Sequence, residues 1–173
     1  MEIVHIKKKI IKLSVEYNGI SGFAMKLIDA HIHLSDAEYA RCADELVADA
    51  KGSNVVALVS NSMDLESSMG SLNLAEKHPG TVYPALGVHP WNVKTLKENE
   101  LEETLDLISE QHQKKAVVAI GEIGLDYKYE DIWEKQLMVF DKMLRLAEKL
   151  DLPAIIHSRG TTAQIVDMLP SMT

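Results

Sequence analysis

In the stretch KLIDAHIHL, Lys26 to Leu34, an aspartate and two histidines interrupt an apolar run. Residues two apart on a strand point to the same side, so Asp29, His31 and His33 share one face while Ala30, Ile32 and Leu34 take the other. Burying such polar groups without partners costs roughly 1 to 3 kcal/mol each, so something must compensate them. Hydrogen bonds would do so. A metal ion would also do so, because two neutral imidazoles on one side of a strand form a compact ligand pair. The pattern recurs downstream. The run Ala116 to Ile120 ends in Gly121-Glu122; Ala154, Ile155 and Ile156 end in His157, Ser158 and Arg159; a third run reaches Gly87-Val88 and then His89-Pro90-Trp91. Imidazole nitrogen and carboxylate oxygen converging on one point suit divalent Zn, Mn, Fe, Co or Mg, and suit Ca less well.

The elements that position these groups follow from the hydrophobic pattern. Five mainly apolar runs read as strands with both faces covered: Leu27 to His33, Asn54 to Asn61, Val82 to Val88, Ala116 to Glu122 and Leu152 to His157. Between them lie helical periodicities, clearest in Trp133, Leu137, Phe140, Leu144 and Ala147, with similar stripes at Leu101, Leu105, Ile108 and at Ala43, Leu46, Ala50. Asp36 and Asp64 stand near helix starts, where N-caps are favoured. Alternation of strand and helix from Met25 onward predicts an α/β chain of βαβ units around a parallel sheet. In such a sheet the strand ends carrying His33, Glu122 and His157 all lie at one edge, where α/β folds and barrels place their sites.

The first 24 residues read differently. Ile11, Leu13, Val15 and Tyr17 alternate with Lys12, Ser14 and Glu16 ahead of Asn18-Gly19, which predicts a β-hairpin; the competing reading makes residues 1–24 an extension upstream of a natural start at Met25. Lys7, Lys8, Lys9 and Lys12 interrupt any signal-peptide core.

With 173 residues, 46% hydrophobic and 25% charged, the chain predicts one core, and no apolar run approaches the roughly 18 residues of a membrane span. A formal net charge of −8 argues against a broad basic surface for nucleic acid, so any such contact is local. Cys42 is the single cysteine, which excludes an internal disulfide or a cysteine zinc cluster and fits a cytoplasmic location.

The motifs DAHIHL (29–34), GVHPW (87–91), GEIGLDY (121–127) and LPAIIHSR (152–159) occur in an order that resembles the TatD family of metal-dependent hydrolases, within the amidohydrolase-like barrel superfamily. The resemblance implies a TIM-type (β/α)8 barrel with a two-metal site. His31 and His33 would bind one ion, Glu122 would bridge both and act in catalysis, and His157 would bind the second. Asp29, His89, Asp126 and Arg159 fall at motif positions that imply substrate contact or support of the ligands. The implied activity is hydrolysis of DNA phosphodiester bonds, with two divalent ions (Mg, Zn, Mn, Co or Fe) as cofactors and DNA as partner. Two cations about 3.5 to 4 Å apart suit that chemistry, because they stabilise the attacking and leaving oxygens together. They would also place positive potential inside an acidic protein.

A complete barrel of this type needs about 250 residues, so the resemblance implies only about the first five βα units here. A further metal-binding histidine and a late aspartate of the family pattern would lie beyond Thr173. Two other readings follow: a truncated, non-catalytic scaffold that self-associates through uncovered sheet edges, and a superfamily hydrolase acting on another ester or amide.

Overall fold

The structure, a computed structural model, describes residues 2–4 and 25–169. Strand β1 (Glu2–Val4) is followed by five strands built on the apolar runs: β2 (Leu27–Ile32), β3 (Val55–Asn61), β4 (Val82–Leu86), β5 (Ala119–Asp126) and β6 (Ala154–Arg159). The helices are α1 (Ala43–Gly52), α2 (Leu65–Lys77), α3 (Glu100–Gln113), α4 (Trp133–Leu150) and α5 (Thr162–Met168). Sheet order is β1-β6-β5-β4-β3-β2. Each neighbouring pair from β2 to β6 is parallel, and β1 runs antiparallel to β6 with Ile3 opposite Ile155. Because every βα unit steps one place in the same direction, the five parallel strands form a curled half-barrel with helices outside. The hairpin predicted around Ile11–Gly19 lies outside the described residues.

The outer layer holds the main core. Leu86, Ile120, Ile123 and Leu125 from the sheet meet Phe140, Met143, Leu144 and Ala147 of α4, all buried. The stripe Phe140–Leu144–Ala147 is the one visible in the sequence, and Trp133 and Leu137 pack half-buried beside it. A second cluster, Leu34, Ala43, Val47, Leu58 and Val82, fixes α1 against β3. On the concave side Ala85, Ala119 and Ile155 form a small apolar floor below the polar strand ends.

Local chemistry sets the helix starts. Asp64 accepts from the Ser67 backbone N–H at 2.8 Å, and the Ser67 hydroxyl reaches back to the Asp64 N–H at 3.0 Å, a reciprocal capping box. The second Asp64 oxygen accepts from Asn92 Nδ2 at 2.7 Å, tying α2 to the loop that follows His89. Asp36 caps the short 3₁₀ turn at Ala37–Tyr39.

The fourth run departs furthest from its sequence reading, while β4 ends two residues earlier and β6 lies two residues later than read. The fourth run was expected to close on Glu122, whereas β5 begins at Ala119 and continues to Asp126. Lys115 adopts φ +58° and the Ala116 N–H still bonds Gln111 O, so residues 115–116 belong to the turn leaving α3. Beyond Glu122 the ladder with β6 resumes as Ile123↔Ile156, Gly124↔His157, Leu125↔Ser158 and Asp126↔Arg159. Glu122 therefore sits mid-strand, at a register shift between Ile120 and Ile123. Such a shift re-aims a side chain, and here Glu122 points into the curl. Among the described residues no helix is long and apolar enough to cross a membrane.

Candidate metal centre

The concave edge gathers His31, His33, His89, Glu122, Asp126 and His157 from four strands and their ends. Glu122 is the hub. Its Oε2 lies 3.1 Å from Nε2 of His31 and 3.1 Å from Nε2 of His33, and those two nitrogens are 3.2 Å apart. Its Oε1 lies 3.3 Å from His157 Nδ1, and His89 Nε2 is 3.7 Å from Oε2. The carboxylate is 3% exposed, and its backbone N–H donates to Ser62 O at 3.0 Å, which anchors the shifted strand to the end of β3. Ser62 also accepts from Gly87 N–H through its hydroxyl at 2.8 Å, so one serine holds two site-bearing segments.

Hydrogen bonds on the far side of each ring fix which nitrogen faces inward. His33 Nδ1 lies 3.0 Å from the Asn61 carbonyl, an acceptor only, so Nδ1 carries the proton and in the neutral ring Nε2 turns its lone pair toward Glu122. His157 Nε2 lies 3.1 Å from Asp126 Oδ2, which by the same logic leaves the Nδ1 lone pair facing the centre. His89 is opposite. Its Nδ1 accepts from the Trp91 backbone N–H at 3.1 Å, so in the neutral ring Nε2 carries the proton and donates inward, 3.2 Å from His157 Nδ1. His33 and His157 thus present ligand nitrogens, whereas His89 presents a donor. His31 Nδ1 is buried and has no hydrogen-bond partner among the described residues, so no contact on that side fixes the His31 tautomer.

This donor set fits a divalent cation. The His33 lone pair and the Glu122 oxygen are electron-rich and converge at 3.1 Å, which is repulsive unless a proton or a cation lies between them. Two groups have atoms within 4.8 Å of one another, His31/His33/Glu122 and His89/Glu122/His157, sharing Glu122. In the second group the His89 tautomer leaves Glu122 and His157 as the atoms that could ligate, with His89 their neighbour.

The electrostatics follow the contacts. Burial pushes the Glu122 carboxyl up, but hydrogen bonds from His157, His31 and His33 outweigh it and hold Glu122 well below the usual carboxylate range. The Glu122 hydrogen bond raises His33 against burial. Burial lowers His157, yet Glu122 and Asp126 together raise it. His89 is depressed to about 3 by burial, so it is neutral near pH 7. For the metal-free protein, the raised His33 and His157 contribute stability that is complete below the ordinary value of 6.5 and lost as pH rises through their folded values. His89 acts in the other direction, because below 6.5 the unfolded imidazole takes up a proton that the folded one refuses. Urea unfolding in a chelator should therefore show stability falling as pH rises above about 6.5, with saturating divalent metal removing that fall. A flat profile in chelator would contradict the charge assignments.

Asp126 is fully buried and collects four contacts: Trp91 Nε1–H donates to Oδ2 at 2.7 Å, His157 Nε2–H to the same oxygen at 3.1 Å, the Lys128 N–H to Oδ1 at 2.8 Å, and Gln136 of α4 grips its backbone. Carboxylates behind metal-binding histidines typically matter by about 10- to 100-fold in affinity or activity. Asp126→Asn is expected to weaken divalent-metal binding within that range, measured by calorimetric titration; unchanged affinity would separate Asp126 from the centre.

Two sequence candidates stand apart. Asp29 turns back along its own strand, accepting the His31 backbone N–H at 3.0 Å, and does not join the cluster. Arg159 is exposed at the end of β6, in register with Asp126. Sequence reasoning missed Asn61, Ser62, Gln136 and Trp91. The available signal was the polar Ser60-Asn61-Ser62 closing the second apolar run, parallel to the other polar strand ends.

The comparisons agree with this geometry. The TatD related DNase family matches residues 28–172. An uncharacterized metal-dependent hydrolase of Methanocaldococcus jannaschii is 34% identical over 144 residues, 83% of this chain and 55% of the relative. A 3'-5' ssDNA/RNA exonuclease TatD of a Pantoea species is 33% identical over 134 residues, 77% of this chain and 50% of the relative. The crystal structure of YjjV, a TatD homolog from Escherichia coli K12, superposes with a TM-score of 0.76 at 31% identity, over 84% of this chain and 56% of that one. The chain spans about half the length of the curated relatives it matches. With the family match running from β2 through α5, and with the histidine and glutamate motifs brought together at one sheet edge, this chain belongs to the TatD related DNase family.

Proposed function

We propose that the chain carries metal-holding residues of the active centre of a hydrolase that cleaves DNA phosphodiester bonds at two divalent metal ions. The observation that carries this reading is the triangle of His31 Nε2, His33 Nε2 and Glu122 Oε2, with sides of 3.1, 3.1 and 3.2 Å, continued through Glu122 Oε1 to His157. His31 and His33 would hold one cation, His157 the other, and Glu122 both. When bound, the cations supply Lewis acidity to the phosphodiester and to a nucleophilic water.

The chain's own residues do the rest. Asn61 and Asp126 orient the His33 and His157 rings, keeping the ligand nitrogens inward. Neutral His89 offers an Nε2–H to a substrate oxygen beside the centre, and because its Nδ1 is already occupied by the Trp91 N–H it stays a donor. Buried Glu122 supplies negative charge in a site where solvent screening is weak. Membership of the TatD related DNase family and the likeness to an ssDNA/RNA exonuclease of a Pantoea species support a nucleic-acid substrate.

The test is metal content followed by turnover. The purified chain should retain divalent metal through gel filtration and release nucleotides from DNA in a metal-dependent, chelator-sensitive manner. Absence of bound divalent metal would overturn the proposal. Bound metal with hydrolysis of simple esters or amides, and none of DNA, would move the substrate to another class of this superfamily.

A further inference from the structure

Beside the centre stands an aromatic side chain that the ligand geometry leaves unused. Trp91 is 45% exposed, although its indole N–H is committed to buried Asp126 at 2.7 Å. That bond fixes the plane of the ring while leaving much of its surface open, so the ring is pre-organised at little entropic cost for a later contact. Its edge-to-face neighbours are His89 and His157, with centroids 4.9 and 6.1 Å away, and Tyr129 tilts against it at 6.4 Å. Lys128 Nζ stands 5.5 Å from the Tyr129 ring centroid, and exposed Arg159 ends β6 with its backbone in register with Asp126, so two cationic residues stand on the segments that carry Tyr129 and Asp126.

We propose that Trp91, backed by Tyr129 and flanked by Lys128 and Arg159, is a stacking subsite for the nucleobase adjoining the scissile phosphate of a single-stranded nucleic acid. The inference rests on the phosphodiester reading and narrows its substrate. The chemistry is specific in kind: every base has a π-face that an indole can stack on, whereas a paired base inside a duplex does not offer it. The location is also specific. The Trp91 ring centroid lies 6.1 Å from that of His157, and both rings bond the same Asp126 oxygen, so a base stacked on the indole would adjoin a phosphate held at the centre. The two cationic side chains would meet the flanking backbone phosphates, which lets an acidic protein bind a polyanion locally.

The probe is a five-nucleotide single-stranded DNA with phosphorothioate linkages, compared with its counterpart lacking the terminal base, both followed by fluorescence anisotropy with the full chain and added Mn²⁺. Base–aromatic stacking predicts a preference of roughly 5- to 150-fold for the base-bearing strand. Trp91→Ala should abolish the preference, read as the ratio of the two strands' affinities within the same variant at saturating Mn²⁺, so that any change at the centre through Asp126 cancels. Trp91→Phe keeps a ring but loses the N–H, and should retain most of the preference. No preference in the wild type, or a preference that survives Trp91→Ala, overturns the subsite. Loss in Trp91→Phe equal to that in Trp91→Ala assigns the effect to the Asp126 bond and also overturns it. The two readings fail separately: base-dependent binding without DNA hydrolysis leaves the subsite standing, whereas hydrolysis that ignores the terminal base removes the subsite alone.

Discussion

Replacing Glu122 by glutamine should weaken divalent-metal binding roughly 10²- to 10³-fold, about 3 to 4 kcal/mol, within the range for removing one member of a buried charge cluster. Glutamine keeps the shape and one carbonyl oxygen, so the loss isolates charge from packing. Glu122 is the shared member of both candidate ligand groups, and both of its oxygens are engaged, Oε2 by His31 and His33 and Oε1 by His157. No other carboxylate among the described residues reaches all three rings. The variant should also carry a signature without metal. The Glu122 hydrogen bond is the foremost cause of the raised His33 value, so in Glu122→Gln that imidazole should titrate at lower pH in a proton NMR titration. A variant that binds metal within a few-fold of the wild type and leaves His33 unmoved would show that Glu122 is not the hub.

The centre was legible in the sequence where its chemistry lay on the residue type and hidden where it lay on the backbone. Apolar runs that end in His or Glu stand out because a buried strand has little other use for them, and His31, His33, Glu122 and His157 do meet. The position of Glu122 within its strand was not legible, since the register shift between Ile120 and Ile123 depends on Ser62 O, a backbone acceptor far along the chain. The tautomers were hidden for the same reason: Asn61 fixes His33 through its main-chain carbonyl, and the Trp91 main-chain N–H makes His89 a donor. Asp29 shows the reverse error of pattern reading. Period-two alternation puts it on the histidine face, but a short carboxylate can hydrogen-bond its own backbone two residues on, and it does so with the His31 N–H. The helices were the easiest part, because the Phe140, Leu144 and Ala147 stripe answers directly to the outer face of the sheet.

A second large effect is expected from a single methyl group. Gly124 lies in β5 directly opposite His157, with φ at +146°, a backbone conformation that side chains rarely adopt. A Cβ built there would stand 2.1 Å from the His157 carbonyl oxygen and 2.9 Å from its backbone C and N. These are main-chain atoms of a paired strand, so no side-chain rotation can relieve the overlap. Gly124→Ala must part β5 from β6, at the residue whose imidazole bridges Glu122 and Asp126. Combining the disallowed backbone with overpacking predicts a loss of at least about 3 kcal/mol in urea unfolding. Metal affinity should fall with it, because His157 Nδ1 is carried away from Glu122. The matched control is Gly52→Ala at the end of α1, where an added Cβ meets nothing within 4 Å and stability should hold or rise by about 0.5 to 1 kcal/mol. If Gly124→Ala unfolded within about 1 kcal/mol of the wild type, the β5–β6 ladder at His157 could not be as close as the structure places it. The geometry of the second ligand group would then need a different strand pairing to support it.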